Sequence, residues 1–199
     1  GMVIDLKHLC GEIGRLRETG VEITPKNLKI SDRAVICMPY HVQQDCLEEE
    51  RLGDAKYGST RRGIAPVYGD KYLKKAIRMG ELFEPEALKK RLEGILDWKS
   101  LTFQGVYNAK PIRLQDILDW LREYGEPLKP FVCDTGVFLS QAVQDGKRMM
   151  FEAQLGALRD IDFGIYPYTS SSPTIAAYGP IGAGIPGVKF HPDYQEFYV

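Results

Sequence analysis

Gly58-Ser59-Thr60-Arg61-Arg62-Gly63-Ile64-Ala65-Pro66-Val67-Tyr68-Gly69-Asp70-Lys71 is the stretch around which the rest of the chain is read. Two hydroxyls, two guanidiniums, three glycines and a proline give it the composition of a loop. Glycines let backbone N–H groups come close to an anion. Arg61 and Arg62 carry planar forks that suit phosphate or carboxylate. The spacing of Tyr72, Leu73, Ala76 and Ile77 predicts a helix over 70–79 with those residues inward. Lys71, Lys74, Lys75 and Arg78 would then form a basic strip on its other side. The stretch is an anion-binding loop or a solvated basic turn. It is no NTP-binding loop of the Walker type, because the Gly-Lys-Ser/Thr ending is missing.

Composition narrows the class. The 199 residues are enough for one domain with a real core, so 1–199 is read as a single domain. A hydrophobic share of 44% with 27% charged residues is that of an ordinary globular protein. A net charge of −1 gives no general attraction to nucleic acid or to anionic membrane. No apolar run approaches the roughly 20 residues of a spanning helix, and the first residues do not read as a signal peptide. Cys10, Cys37, Cys46 and Cys133 are irregularly spaced with no CxxC pair. Neither a disulfide framework nor a zinc site is expected, even where Cys37, His41 and Cys46 lie close together. A reducing cytoplasm fits this usage.

Taken in order, Leu6, Leu9, Cys10, Ile13 and Leu16 share a helical face that ends at Gly20. Asn27–Ile30 and Ala34–Met38 read as short strands. Val42–Leu52 reads as a helix whose Glu48-Glu49-Glu50 run is a solvated face. Pro85 opens a helix with Leu88, Leu92, Ile95 and Leu96 inward. Trp98–Pro111 reads as loop or short strand. Leu114–Tyr124 is strongly amphipathic, and Thr135–Gln144 is a helix capped by Asp134. Lys147–Phe151 is a strand candidate. Between Gly156 and Pro192 the rise in glycine, proline and serine predicts little regular structure. Helices alternating with short strands make the class α/β.

Gly58–Leu82 resembles the inosinate-binding loop of the adenylosuccinate synthetases. Phe151–Ser172, FEAQLGALRDIDFGIYPYTSSS, resembles a second motif of that family, in the family's order. The resemblance covers nearly the whole chain but only the middle of the family's. It implies a partial synthetase-like, P-loop-related domain that is helix-rich with a few short strands. It also implies the purine-pathway reaction in which GTP phosphorylates the inosinate carbonyl oxygen and aspartate displaces the phosphate.

Carried over residue by residue, Thr60 matches a 5′-phosphate ligand. Arg62 lies beside it in the same loop, where its fork would steer the anion. Lys74 matches an arginine that reaches the neighbouring subunit's inosinate, so a homodimer is implied. Ser170, or Thr169 one place earlier, falls at a second phosphate contact. Gln154 or Leu155 falls at the glutamine that holds the base. Ala153, Leu155, Phe163 and Pro173 depart from the family's pattern. The family's glycine-rich GTP loop, its catalytic histidine and its aspartate-binding and guanine-reading segments have no counterpart here. The implied ligand is inosinate. Mg²⁺ and GTP are expected only for a full family enzyme, and turnover is expected to need the missing parts on another chain. The alternative is a degenerate nucleotide-binding or interaction module without ligase activity.

Four further features carry a plain structural reading beside the functional one. Asp160 and Asp162 are turn-stabilising carboxylates before they are metal ligands or acid–base groups. Tyr166-Pro167-Tyr168 is loop packing before it is a base-stacking platform. His41 and His191 have no partner identifiable from sequence, so no catalytic triad is argued from them.

Overall fold

The structure is a computed structural model that describes residues 1–185. Two compact units emerge, Val3–Cys133 and a second made of Gly1–Met2 with the chain from Asp134 onward, and each is described by itself.

In the larger unit the strands are very short and run parallel. β1 (Val3–Ile4) pairs with β3 (Val35–Ile36) in the register Val3 to Val35 and Ile4 to Ile36. β2 (Ile30–Ser31) pairs with β4 (Val132–Cys133), Ile30 facing Val132. The two expected strands are thus present in shortened form, while β1 and β4 escape a periodicity search because two residues carry no period. Helices surround them: α1 (Leu6–Glu18), α2 (Pro39–Leu52), α3 (Ile64–Tyr72), α4 (Pro85–Tyr107) and α5 (Leu114–Tyr124). The α/β class stands, with helix predominating.

Local chemistry explains the helix starts. The Asp5 side chain accepts from the His8 N–H ahead of α1. Pro39 and Pro85 occupy first-turn positions, where a missing N–H costs nothing. The main core joins Leu6 and Ile13 of α1, Ile36 and Met38, Ile77 and Met79, the inner face of α4, and Ile117 and Leu121 of α5. A smaller cluster of Val35, Cys37, Val67, Tyr68 and Ala76 lies under α3.

Three expectations fail here. The helix predicted over 70–79 begins earlier and ends sooner, at Tyr72. Ala76–Arg78 runs extended beside β3 instead, leading into a 3-10 turn at Met79–Phe83: Ile36 N–H donates to the Ile77 carbonyl at 2.8 Å and Met79 N–H to the Ala34 carbonyl at 2.9 Å. The reason is an ambiguous pattern. Ile77 and Met79 alternate with exposed Arg78, and the period of two buries both completely. Tyr72 and Leu73, expected inward, are exposed. The basic strip therefore does not lie on one helix.

The second failure is Trp98–Pro111, where α4 continues to Tyr107 and stops at Asn108 in the left-handed region, φ 50°. Lys99 and Phe103 extend the buried face of Leu92 and Leu96. A lysine at a core position breaks the apolar pattern that would have announced the helix. The acidic run of α2 is also not uniformly solvated. Glu50 is exposed and Glu48 binds Arg51, but Glu49 is buried.

The second unit contains α6 (Thr135–Gln144), whose N-cap Asp134 accepts from the Val137 N–H as expected. Lys147–Phe151 forms no strand. Through Gly156–Ile185 regular structure is sparse, apart from a 3-10 turn at Ala157–Arg159 and the short α7 (Tyr178–Ala183). The remainder of that predicted stretch, and His191, lie outside the described residues.

Candidate anion-binding site

The loop before α3 is held from beneath. Asp45, buried on α2, accepts the Ser59 hydroxyl at 2.6 Å with one carboxylate oxygen and the Gly63 N–H at 2.8 Å with the other. Ser59 Oγ in turn accepts from the Arg61 N–H at 3.0 Å. The Cys37 thiol donates to the Arg62 carbonyl at 3.4 Å. Inward-facing groups of the loop are thus taken, while Thr60, Arg61 and Arg62 stand exposed. Arg61 is left-handed at φ 54°, and Gly63, at φ 76°, is the N-cap of α3. A Cβ on Gly63 would come within 2.8 Å of the His41 carbonyl carbon and the Val42 nitrogen, so only glycine fits that backbone-on-backbone contact. Exposed hydroxyl and guanidinium donors on a pinned loop are what capture of a phosphate requires.

Beneath α3 lies a group that sequence reasoning missed. His41 Nε2 meets Asp70 Oδ2 at 2.8 Å, and Lys99 Nζ donates to the same carboxylate at 2.8 Å. All three are nearly inaccessible, at 0%, 2% and 1% exposure. Lys99 also donates to Gln44 Oε1 at 2.9 Å. The Met38 N–H donates to His41 Nδ1 at 2.9 Å, which fixes the proton of a neutral imidazole on Nε2, facing Asp70. Burial holds His41 below its ordinary pKa, against the pull of Asp70. Burial likewise lowers Lys99, opposed by its bond to Asp70. His41 therefore has a partner, contrary to the sequence reading. The network ties α2, α3 and α4 together under the loop.

Cys37 and His41 are committed to these bonds, and burial, with Asp5 and Asp45 nearby, pushes the Cys37 thiol up to about 12. Among the described residues no group of three His, Cys, Asp or Glu side chains is placed to hold a metal ion.

Lys74, exposed and left-handed at φ 61°, borders a hollow of about 350 Å³ with Lys71, Arg78, Arg91, Glu81, Val35 and Ala76. Glu81 binds Arg91 at 3.1 Å, leaving the wall mainly cationic. Burial, then the charge of Arg78, lowers the Lys71 pKa.

In the second unit Gln154 is exposed, next to Leu155 at φ 83°. Ser170 is half-buried; its N–H donates to the Arg159 carbonyl at 2.8 Å and its hydroxyl lies 3.2 Å from that of Ser172. Ser170 adjoins a turn organised by Asp160, 2% exposed. Asp160 accepts from the N–H groups of Asp162, Phe163 and Thr174 at 2.9, 3.1 and 2.7 Å. Burial alone would raise its pKa, but these backbone donors prevail and hold it low. The turn-stabilising reading of Asp160 holds. Loop packing does not describe Tyr166 and Tyr168, which are 78% and 58% exposed. Thr60, Arg62 and Lys74 thus lie in one unit, and Gln154 and Ser170 in the other.

Comparison with known proteins fits this geometry. The family model for adenylosuccinate synthetase matches residues 1–193. The chain is 42% identical over 191 residues to adenylosuccinate synthetase 2 of Pseudoalteromonas translucida (strain TAC 125), covering 95% of this chain and 45% of that protein. It is 43% identical over 185 residues to the adenylosuccinate synthetase of Bacillus cytotoxicus, covering 93% and 43% respectively. The solved structure of the fully ligated adenylosuccinate synthetase from Plasmodium falciparum superposes with a TM-score of 0.77 at 29% identity, covering 98% of this chain and 44% of that one. This chain belongs to the adenylosuccinate synthetase family. It spans less than half the length of the curated relatives it matches. No helix among the described residues is long and apolar enough to cross a membrane.

Proposed function

We propose that this chain is the inosinate-binding portion of an adenylosuccinate synthetase of purine biosynthesis, with residues 1–199 all belonging to one domain of that enzyme. The observation that carries the reading is the pinned loop: Asp45 fixes Ser59 and Gly63, and Thr60 and Arg62 between them stay exposed. Thr60 would give its hydroxyl to the 5′-phosphate, and Arg62 would attract and orient it. Ser170 would supply a second phosphate contact and Gln154 an amide for the base. Lys74 would serve the inosinate of a partner subunit in a homodimer, as a point charge without the arginine fork. GTP and Mg²⁺ supply phosphoryl transfer in the family's reaction. Among the described residues no group of three His, Cys, Asp or Glu side chains stands together for the ion. Positioned donors alone give binding without turnover.

Calorimetric titration with inosinate tests the reading, with saturable binding as the expected result. No heat at millimolar ligand would make the loop a relic and favour an interaction module. Incubation with inosinate, GTP, Mg²⁺ and aspartate should give no adenylosuccinate from this chain alone. Steady product formation would refute the need for further segments. Sedimentation at tens of micromolar should show a dimer, and a clean monomer there would remove the role given to Lys74.

A further inference from the structure

The geometry points to Asp45 as the positioning residue of the phosphate loop, a clamp that sets where the Thr60 and Arg62 donors stand. The inference rests on the inosinate reading above for its functional half. Its structural half stands alone.

Asp45 is one helical turn beyond His41, so both project from the same face of α2. His41 engages Asp70 of α3, while Asp45 engages the loop that leads into α3. One helix face thereby fixes a helix and its approach. The two carboxylate oxygens hold the residues on either side of Thr60-Arg61-Arg62, so the three exposed residues are the span between two anchors. Arg61 adopts a left-handed conformation unfavourable for its type, and the Ser59 hydroxyl that Asp45 orients accepts its N–H.

A buried carboxylate under an anion site repels the anion it serves. As a source of binding energy Asp45 would be misplaced, and its placement makes sense as geometry. Asp45→Asn keeps much of that geometry without the charge. The amide oxygen can accept from Gly63, and the amide N–H₂ can donate to Ser59 Oγ, whose second lone pair is available. Asp45→Ala removes both anchors.

The test reads amide hydrogen exchange and inosinate affinity in wild type, Asp45→Ala, Asp45→Asn and Ser59→Ala. Ser59 is partly exposed, so its variant keeps the test usable if Asp45→Ala fails to fold. Exchange at Arg61 and Gly63 should rise in Asp45→Ala, rise at Arg61 in Ser59→Ala, and stay near wild type in Asp45→Asn. Inosinate should bind about tenfold more weakly to Asp45→Ala, the scale of one lost hydrogen bond to an ion, and at least as tightly to Asp45→Asn as to wild type. Unchanged exchange in Asp45→Ala, or in Ser59→Ala where Asp45→Ala is unfolded, overturns the clamp whatever the binding shows. Raised exchange with unchanged affinity overturns its bearing on the ligand, as does Asp45→Asn binding as weakly as Asp45→Ala. Wild type that binds no inosinate sinks the inosinate reading instead, and the exchange arm still decides the clamp.

Discussion

Asp70 and Asp160 are both 2% exposed, yet they are satisfied in opposite ways. Asp70 receives charged or polar side chains from far along the chain, His41 and Lys99. Asp160 receives backbone N–H groups, two of them within three residues. A carboxylate met by local backbone organises a turn. One met by distant side chains holds elements together, and its loss should be felt across the larger unit. Substitutions that separate these two cases test the contrast.

The largest effect is expected at Asp70. Asp70→Ala leaves the Lys99 ammonium buried without its counter-charge, which costs about 3–5 kcal/mol in global unfolding by urea. The double variant Asp70→Ala with Lys99→Met should recover a good part of that loss, because no buried charge is then stranded. Failure to recover would mean that the cost is packing rather than charge.

Asp160→Ala strips three N–H groups of their acceptor and should cost about 1–3 kcal/mol. The damage should be local: faster exchange at Asp162, Phe163 and Thr174. Equal acceleration throughout α6 would contradict a purely local role.

Acid separates the two sites further. Burial depresses the folded pKa of His41, so the unfolded chain takes up a proton first as pH falls. The stability linked to His41 is complete above about pH 6.5 and is lost as pH drops toward the folded value, at up to about 1.4 kcal/mol per pH unit. Asp160 is depressed as a carboxylate, so its contribution holds until about pH 3.9 and is lost below, through its folded pKa. Urea midpoints from pH 8 to 4 should slope more steeply in wild type than in His41→Gln. Parallel curves would deny His41 the assigned state.

The smallest effect belongs to the exposed loop. Thr60→Val should weaken inosinate by about 0.5–1.5 kcal/mol and leave unfolding unchanged. Arg62→Ala should weaken it mainly at low salt, where screening is least. A stability loss in either variant would mean that the side chain supports the loop rather than the ligand.

The same contrast accounts for how much could be read from the sequence. Asp160 and Asp134 announce themselves because their partners are two and three residues away. α1 and α5 have periodic apolar faces, and Pro85 marks a helix start, whereas α2 begins at Pro39, three residues before the Val42 expected. The loop at Gly58–Gly63 is legible in its composition. What supports it is not. Asp45 sits in a helix otherwise rich in acidic and amide residues, with nothing to set it apart until Ser59 and Gly63 fold over it. Lys99 is doubly hidden, since a charge at a core position both conceals its role and obscures the helix that carries it. At Ala76–Met79 two periods fit the same letters, and pairing beside β3 decided between them.

The pairing of β2 with β4 has a consequence for birth on the ribosome. Ile30 and Val132 lie about one hundred residues apart, so β2 emerges long before its partner exists. At roughly 5–20 residues per second it waits on the order of 5–20 s. β1 meets β3 after about thirty residues, within a few seconds at that pace. Nascent chains stalled before Val132 should leave the Ile30–Ser31 backbone open to exchange while Val3–Ile4 is already protected. During that interval β2 is an unpaired edge, and the nascent chain is most in need of a chaperone there.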